Sequence, residues 1–347
     1  MQTNNDISTT NGCIWEHWNF QFEELLKKIF KKRNENKMKI LVTGSSGFLG
    51  YAIRTYLTNI GYETYGSTRS QPPVDEREFR FDIVKDSCEK SFKKIVFDVI
   101  IHTIGLVEDN ARFRDLKQTN VDGTKKILGY AKQTNCTHFI HLSSVSVYGI
   151  KALGQNRIEN SVKIRPHSLI SKYGRSKAQA ELAVLKSEVP FTILRLPLII
   201  GKGDRMVSSQ LLELLTNGQL YYSGTGENLV SIMPVDNLCS LISLLIEKKA
   251  SNRSFHCPSY HIPLNSFVNK YSSLTNLPFQ IKKSPIWLFG GKANNIQKIL
   301  LAYSWKGAHF QDSLIREFLP KYIDAISWEE SIKEAVDRLY STSKIIL

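Results

Sequence analysis

The apolar run Met38-Lys39-Ile40-Leu41-Val42-Thr43 leads straight into Gly44-Ser45-Ser46-Gly47-Phe48-Leu49-Gly50, and Ile53, Leu57 and Ile60 follow at helical spacing. A strand of aliphatic and β-branched residues that turns through glycines into a helix is a βα unit. Glycines at the first, fourth and seventh positions let the backbone turn tightly and approach a pyrophosphate. The helix N-terminus then faces the phosphate charge. The spacing is G-x-x-G-x-x-G, not the commoner G-x-G-x-x-G. Gly44, Ser46, Gly47, Phe48, Leu49 and Gly50 are therefore candidate cofactor-binding residues.

From Met38 onward strands alternate with helical stretches. Candidate strands are 39–43, 63–68, 78–81, 99–103, 138–143 and 191–196. Such alternation predicts right-handed crossovers and a parallel sheet covered on both faces. The fold class is α/β, a Rossmann-type doubly wound parallel sheet with a smaller C-terminal substrate lobe. Residues 38–200 form the dinucleotide-binding domain in this reading. After Gly201 the pattern turns irregular, punctuated by Pro234, Pro258, Pro263, Pro278 and Pro285. Residues 201–347 are expected to be mainly substrate lobe, with part of 230–250, and residues 232–235 in particular, returning to the main domain.

Chemistry is indicated by Tyr173-Gly174-Arg175-Ser176-Lys177. Tyr and Lys four residues apart share one helix face. A phenol beside an ammonium ionises more easily, which suits it to exchange a proton near neutral pH. The pattern alone is weak; the upstream glycine turn gives it weight.

Together these segments resemble the extended short-chain dehydrogenases/reductases, the NAD-dependent epimerase/dehydratase and 3β-hydroxysteroid dehydrogenase-like group. Thr43 to Gly50 is similar to the group's T-G-x-x-G-F-x-G turn, and Phe97-Asp98-Val99-Ile100-Ile101-His102 to its fourth strand. Asn120-Val121-Asp122-Gly123-Thr124 resembles its N-V-x-G-T helix. His141-Leu142-Ser143-Ser144-Val145-Ser146-Val147-Tyr148-Gly149 resembles the strand ending in the catalytic serine. The segment from Leu194-Arg195-Leu196-Pro197 to Gly201 resembles the one passing the nicotinamide. The resemblance implies that Ser144, Tyr173 and Lys177 are catalytic, with Asn120 organising a water or the central helix. It implies cofactor contacts from Asp82 and Ile83, from Thr103, Ile104 and Gly105, and from Pro197, besides Tyr173 and Lys177. His102 reads as strand packing, not as a base. The ribose-selecting position falls near Thr68, with Arg69 next to it. A guanidinium suits a 2′-phosphate, so NADP is expected, with NAD as the alternative.

Departures from the group narrow the reaction. Val145 and Ser146 stand where dehydratases carry an acidic pair, and Val230 stands near the arginine with which many epimerases grip a diphosphate. The asparagine of the epimerases' N-V-Y-G segment is also missing. These differences favour a dehydrogenase or reductase acting on a secondary alcohol or ketone. The alternatives are a nucleotide-sugar 4-epimerase/4-keto reductase and a non-catalytic dinucleotide-binding scaffold. Ile286, Trp287, Leu288 and Phe289 suggest an apolar substrate, whereas Lys282 or Lys283 could replace a lost diphosphate ligand.

Lys and Arg outnumber Asp and Glu by 46 to 32, a net charge of +14. The basic residues are dispersed and form no nucleic-acid platform, so a small-molecule substrate and an anionic cofactor are the expected partners. Cys13, Cys88, Cys136, Cys239 and Cys257 have no metal-ligand spacing and indicate buried thiols in a reducing compartment, with no metal site. No apolar run is long enough to cross a bilayer; a cytoplasmic enzyme, assembled as a homodimer, is expected. In residues 1–37, Trp18, Phe22, Leu25, Leu26, Ile29 and Phe30 recur at helical spacing among lysines. That extension reads as an amphipathic helix, on a membrane surface or docked on the enzyme, or as sequence upstream of a start at Met38.

Overall fold

The computed structural model describes residues 38–69, 72–108, 111–149, 153–154, 171–218, 220–222, 224–276, 282–283 and 295–342. The N-terminal extension, with its expected amphipathic helix, lies outside the described residues, as do Ile286, Trp287, Leu288 and Phe289.

Seven parallel strands form the main sheet. In chain order they are β1 (Lys39–Thr43), β2 (Glu63–Thr68), β3 (Glu78–Arg80), β4 (Val99–His102), β5 (His138–Ser144), β6 (Phe191–Leu196) and the late β10 (Arg253–His256). Across the sheet they lie in the order β10-β6-β5-β4-β1-β2-β3. The order reverses between β1 and β4, and ligands of open α/β sheets bind at the carboxyl ends of strands at such a point.

Alternation within the strands explains why both sheet faces are covered. Ile40 and Val42 of β1, Leu142 of β5 and Leu194 of β6 join one buried cluster with helices α1 (Phe48–Asn59) and α5 (Val235–Glu247). Leu41, Phe139 and Ile193 turn the other way, into a cluster with α2 (Gly123–Gln133) and Val184 of α3 (Lys172–Leu185). β1 and β4, buried on both faces, are apolar at nearly every position, which is why they read as continuous runs.

The second lobe is built on a three-stranded sheet in the order β11-β9-β7, with β7 at Leu198–Ile200, β9 at Leu229–Pro234 and β11 at Tyr260–Pro263, while the short β8 at Tyr221–Tyr222 pairs separately with Lys282–Lys283. Its core gathers Leu198, Ile200, Val230, Ile232, Phe267 and Tyr271 around α4 (Val207–Thr216). Of the segment expected to return to the main domain, Met233 and Val235 join the main core, while Ile232 stays in the core of the small lobe. Ile232 pairs with Leu198 and Tyr260 in the small sheet. What returns with them is α5, which packs against α1, and β10, which pairs with β6 from Arg253↔Thr192 to His256↔Arg195. β9 faces both lobes, sending Ile232 to one core and Met233 to the other. Its apolar pattern therefore could not say which sheet it joins.

Candidate active site

The glycine turn joins β1 to α1 beside the switch point. A Cβ on Gly50 would meet the Gly44 carbonyl oxygen at 2.1 Å and Thr103 Oγ1 at 2.9 Å. Only glycine lets α1 start this close to the strand ends. The N-cap, Gly47, has no side chain to cap the helix, and no acid stands in its first turn. Ser46 and Gly47 are exposed. The first N–H groups of α1 and its dipole are thus presented to an anion. A dinucleotide pyrophosphate fits this cradle.

The turn is fixed from below. Ser45 N donates to Ser67 O at 2.9 Å. Ser45 Oγ donates to the buried Glu78 carboxylate, which also takes Arg54. Thr68 Oγ1 donates to Ser46 Oγ at 3.0 Å, tying the end of β2 to the turn. Arg69 follows, exposed. Asp82 holds its own turn, accepting from Val84 N at 2.9 Å, while Ile83 is buried against Gly123.

On the other side of the switch point, Thr103 Oγ1 donates to Thr43 O at 2.6 Å, and Ile104 lies against Gly44. Beneath them runs a directed chain of hydrogen bonds. Thr124 Oγ1 donates to Asn120 O at 2.6 Å, so it accepts from His102 Nε2 at 3.1 Å. His102 Nδ1 then accepts from Thr43 Oγ1 at 2.9 Å, which itself accepts from Thr103 N. This network, not an observed proton, assigns the tautomer. Burial, and next the charge of Lys177, push His102 down to about 3, so it stays neutral. Both its nitrogens are committed to the framework, in keeping with a packing role.

Asn120 sits in a π-helical turn, Lys117–Asp122. Its Oδ1 accepts from Leu106 N at 2.7 Å, and its Nδ2 donates to Leu106 O at 3.0 Å and to Ser176 Oγ at 2.8 Å. The loop carrying Thr103, Ile104 and Gly105 is thereby stapled to α3. The side chain's bonds are spent on protein groups, so organisation of the site is the role its geometry supports.

β5 ends at Ser144, whose Oγ accepts from Ser146 N at 3.1 Å and starts the short helical turn Val145–Tyr148. A Cβ on Gly174 would stand 2.6 Å from Ser146 O. The absence of that atom lets α3 press against the segment following Ser144. Tyr173, half-buried next to Gly174, is brought to the serine's end of the sheet. One turn on, Lys177 is buried, and its Nζ donates to Leu142 O at 2.5 Å. Burial, opposed by the Glu181 carboxylate, lowers Lys177 to about 8.

Sequence reasoning passed over the polar layer under these residues. Glu181, a further turn along α3, is fully buried and paired with Arg195 of β6; Arg195 Nε donates to it at 3.0 Å. Ser143 Oγ donates to the same carboxylate at 2.8 Å. Arg195 also donates to Tyr148 Oη at 2.6 Å, and Tyr148 meets His256 Nε2 at 2.7 Å. Arg195 is the lone charge in an otherwise apolar strand except for Thr192. A buried guanidinium requires a carboxylate, and that was the available signal.

A dinucleotide cradle, a serine at a strand end and a Tyr-x-x-x-Lys helix beside it define an NAD-dependent hydride-transfer enzyme of the short-chain dehydrogenase/reductase type. Residues 40–258 match the NAD dependent epimerase/dehydratase family, and the chain belongs to it. It is similar to sterol-4-alpha-carboxylate 3-dehydrogenase, decarboxylating, of Dictyostelium discoideum, 27% identical over 85% of this chain and 99% of the relative. It is also similar to N-acetyl-alpha-D-glucosaminyl-diphospho-ditrans,octacis-undecaprenol 4-epimerase of Escherichia coli O157:H7, 26% identical over 73% of this chain and 77% of that one. UDP-glucuronic acid 4-epimerase from Bacillus cereus, solved with NAD, shares the fold at a TM-score of 0.69 and 19% identity, covering 88% of this chain and 99% of its own.

No helix among the described residues is long and apolar enough to cross a membrane. None of the described His, Cys, Asp and Glu residues gather into a metal-binding group.

Proposed function

We propose that the protein is a dehydrogenase or reductase that prefers NADP, with NAD as the alternative, and interconverts a secondary alcohol and a ketone on a largely apolar small molecule. The observation that carries the reading is the seating of α3 on the segment after Ser144 through Gly174, which sets Tyr173 and the serine at one strand end. In reduction, Tyr173 Oη gives its proton to the substrate oxygen while Ser144 Oγ hydrogen-bonds the same atom and steadies its developing charge. In oxidation the tyrosine takes that proton back. Lys177 has two N–H donors beyond the one on Leu142 O, for the ribose hydroxyls, and its positive charge favours phenolate. The nicotinamide, when bound, supplies or accepts the hydride.

Two further observations support the choice among reactions. Val230, near the position of the epimerases' diphosphate-gripping arginine, is fully buried in the small lobe's core. Val145 and Ser146 follow the serine where a dehydratase needs its acid and base. A 4-epimerase remains the second reading, supported by the Escherichia coli relative. The test is a screen following NADPH oxidation with ketones and NADP⁺ or NAD⁺ reduction with alcohols, sterols included, beside an epimerisation assay on UDP-sugars. Net redox turnover on an apolar substrate is expected. Interconversion of a UDP-sugar without net cofactor change, faster than any redox reaction, would promote the epimerase.

A further inference from the structure

Arg69 is the cation that the sequence places beside the cofactor ribose. The structure sets a second guanidinium next to it. β2 and β3 pair in parallel with Thr68 opposite Arg80, so both residues point to one face of the sheet. Two contacts identify that face as the one carrying the glycine turn. Thr68 Oγ1 bonds Ser46, and Glu78, two residues before Arg80 on the same side of β3, binds Ser45 and Arg54. Phe79 and Phe81 alternate away into the opposite apolar cluster. Arg80 therefore stands at the carboxyl end of β3, about 5 Å from the backbone of Thr68, with its side chain exposed.

Arg69, Arg80, Lys85 and Lys90 line one groove of about 480 Å³, together with Asp82 and Asp86. The two acids are engaged by backbone: Asp82 Oδ1 accepts from Val84 N, and Asp86 Oδ2 accepts from Asp82 N at 2.6 Å. Among the described residues no carboxylate lies within ion-pair distance of any of the four cations. Arg54 nearby is the contrast, since its guanidinium is held by Asp75 and Glu78. Four cations against two carboxylates leave an excess of positive charge on a concave surface at the carboxyl ends of β2 and β3, and that excess favours a ligand that carries an anion there.

We propose that Arg80 is a second cation of a 2′-phosphate site shared with Arg69, with Lys85 and Lys90 raising the positive potential of the same groove. The proposal rests on reading the glycine turn as the dinucleotide site of an NADP-preferring enzyme. A 2′-phosphate between two guanidiniums gains charge-assisted hydrogen bonds from each, whereas the bare 2′-hydroxyl of NAD offers Arg80 no anion. Arg80 thus becomes a specificity residue that discriminates phosphate from hydroxyl.

Calorimetric titration of the full chain with adenosine 2′,5′-bisphosphate and, separately, 5′-AMP tests this without any turnover. The parent protein is expected to bind the bisphosphate more tightly. Arg80→Ala and the uncharged, longer Arg80→Gln are each expected to weaken bisphosphate binding roughly ten- to a hundredfold, leaving 5′-AMP nearly unchanged. If both variants keep the parent's preference, Arg80 is not a ligand, and Arg69 alone carries the NADP reading. A parent protein that binds the two nucleotides equally well overturns both Arg80 and the NADP preference. That second result leaves the roles of Ser144, Tyr173 and Lys177 standing, because turnover measurements judge those.

Discussion

Lys177 shows how one side chain can be both costly and necessary. Desolvation disfavours its ammonium and brings it down to about 8, yet the charged form is the one proposed to assist Tyr173. Between about pH 8 and the ordinary lysine value near 10.4, the unfolded chain binds a proton that the native chain does not. Stability therefore rises with pH across that window, as the cost of the buried charge is relieved. Lys177→Met lacks this dependence. Melting curves from pH 7 to 10.5 are expected to show the parent gaining on the variant above pH 8; a constant difference across the range would contradict the lowered value. His102 makes the complementary point, a neutral residue whose two nitrogens link Thr43 to Thr124 and so join the glycine turn to the π-helical turn of Asn120.

At the level of elements, the site is an arrangement of close approaches. α1 reaches the strand ends because Gly50 has no side chain, and α3 reaches the serine segment because Gly174 has none. Replacing a helical glycine with alanine ordinarily stabilises a protein by up to about 1 kcal/mol. At Gly174 the new Cβ would press on a backbone carbonyl, which cannot rotate aside. Gly174→Ala is expected to lower the melting temperature and to reduce turnover at least about tenfold through displacement of Tyr173, as thermal unfolding and steady-state rates would show. A stabilised, fully active variant would mean that α3 has room to spare. The elements of the first half were largely legible. β1, β2 and β6 keep their expected bounds, β1 and β6 through their largely apolar sequences and β2 through its threonines and Tyr65, and β3, β4 and β5 differ from the expected bounds by one residue. β10 was not legible, because Arg253-Ser254-Phe255-His256 is short and half polar. Only its pairing with β6, 61 residues earlier in the chain, makes it a strand. Arg80 was hidden for a similar reason, since its meaning comes from the residue across the ladder.

The whole molecule divides its labour between a doubly wound sheet that holds the nucleotide cradle and a smaller lobe set against its carboxyl edge through β7, β9 and α5. The buried Glu181–Arg195–Tyr148–His256 network runs through this construction. It links α3, β6, the serine segment and the late-arriving β10, and His256 continues it to Gln311 O at 3.0 Å. Motifs in the first 200 residues point to the candidate cradle and the candidate chemical groups because their spacing is local. The frame that aligns them is made of contacts between distant segments and became visible only in three dimensions. The central claim is that Tyr173 exchanges the proton at the substrate oxygen. Tyr173→Phe removes only the hydroxyl, so comparing its turnover and its cofactor dissociation constant with the parent's tests that claim most directly. Turnover is expected to fall at least about a hundredfold while the dissociation constant stays within about threefold, a change of less than 1 kcal/mol; near-normal turnover in the variant would contradict the account.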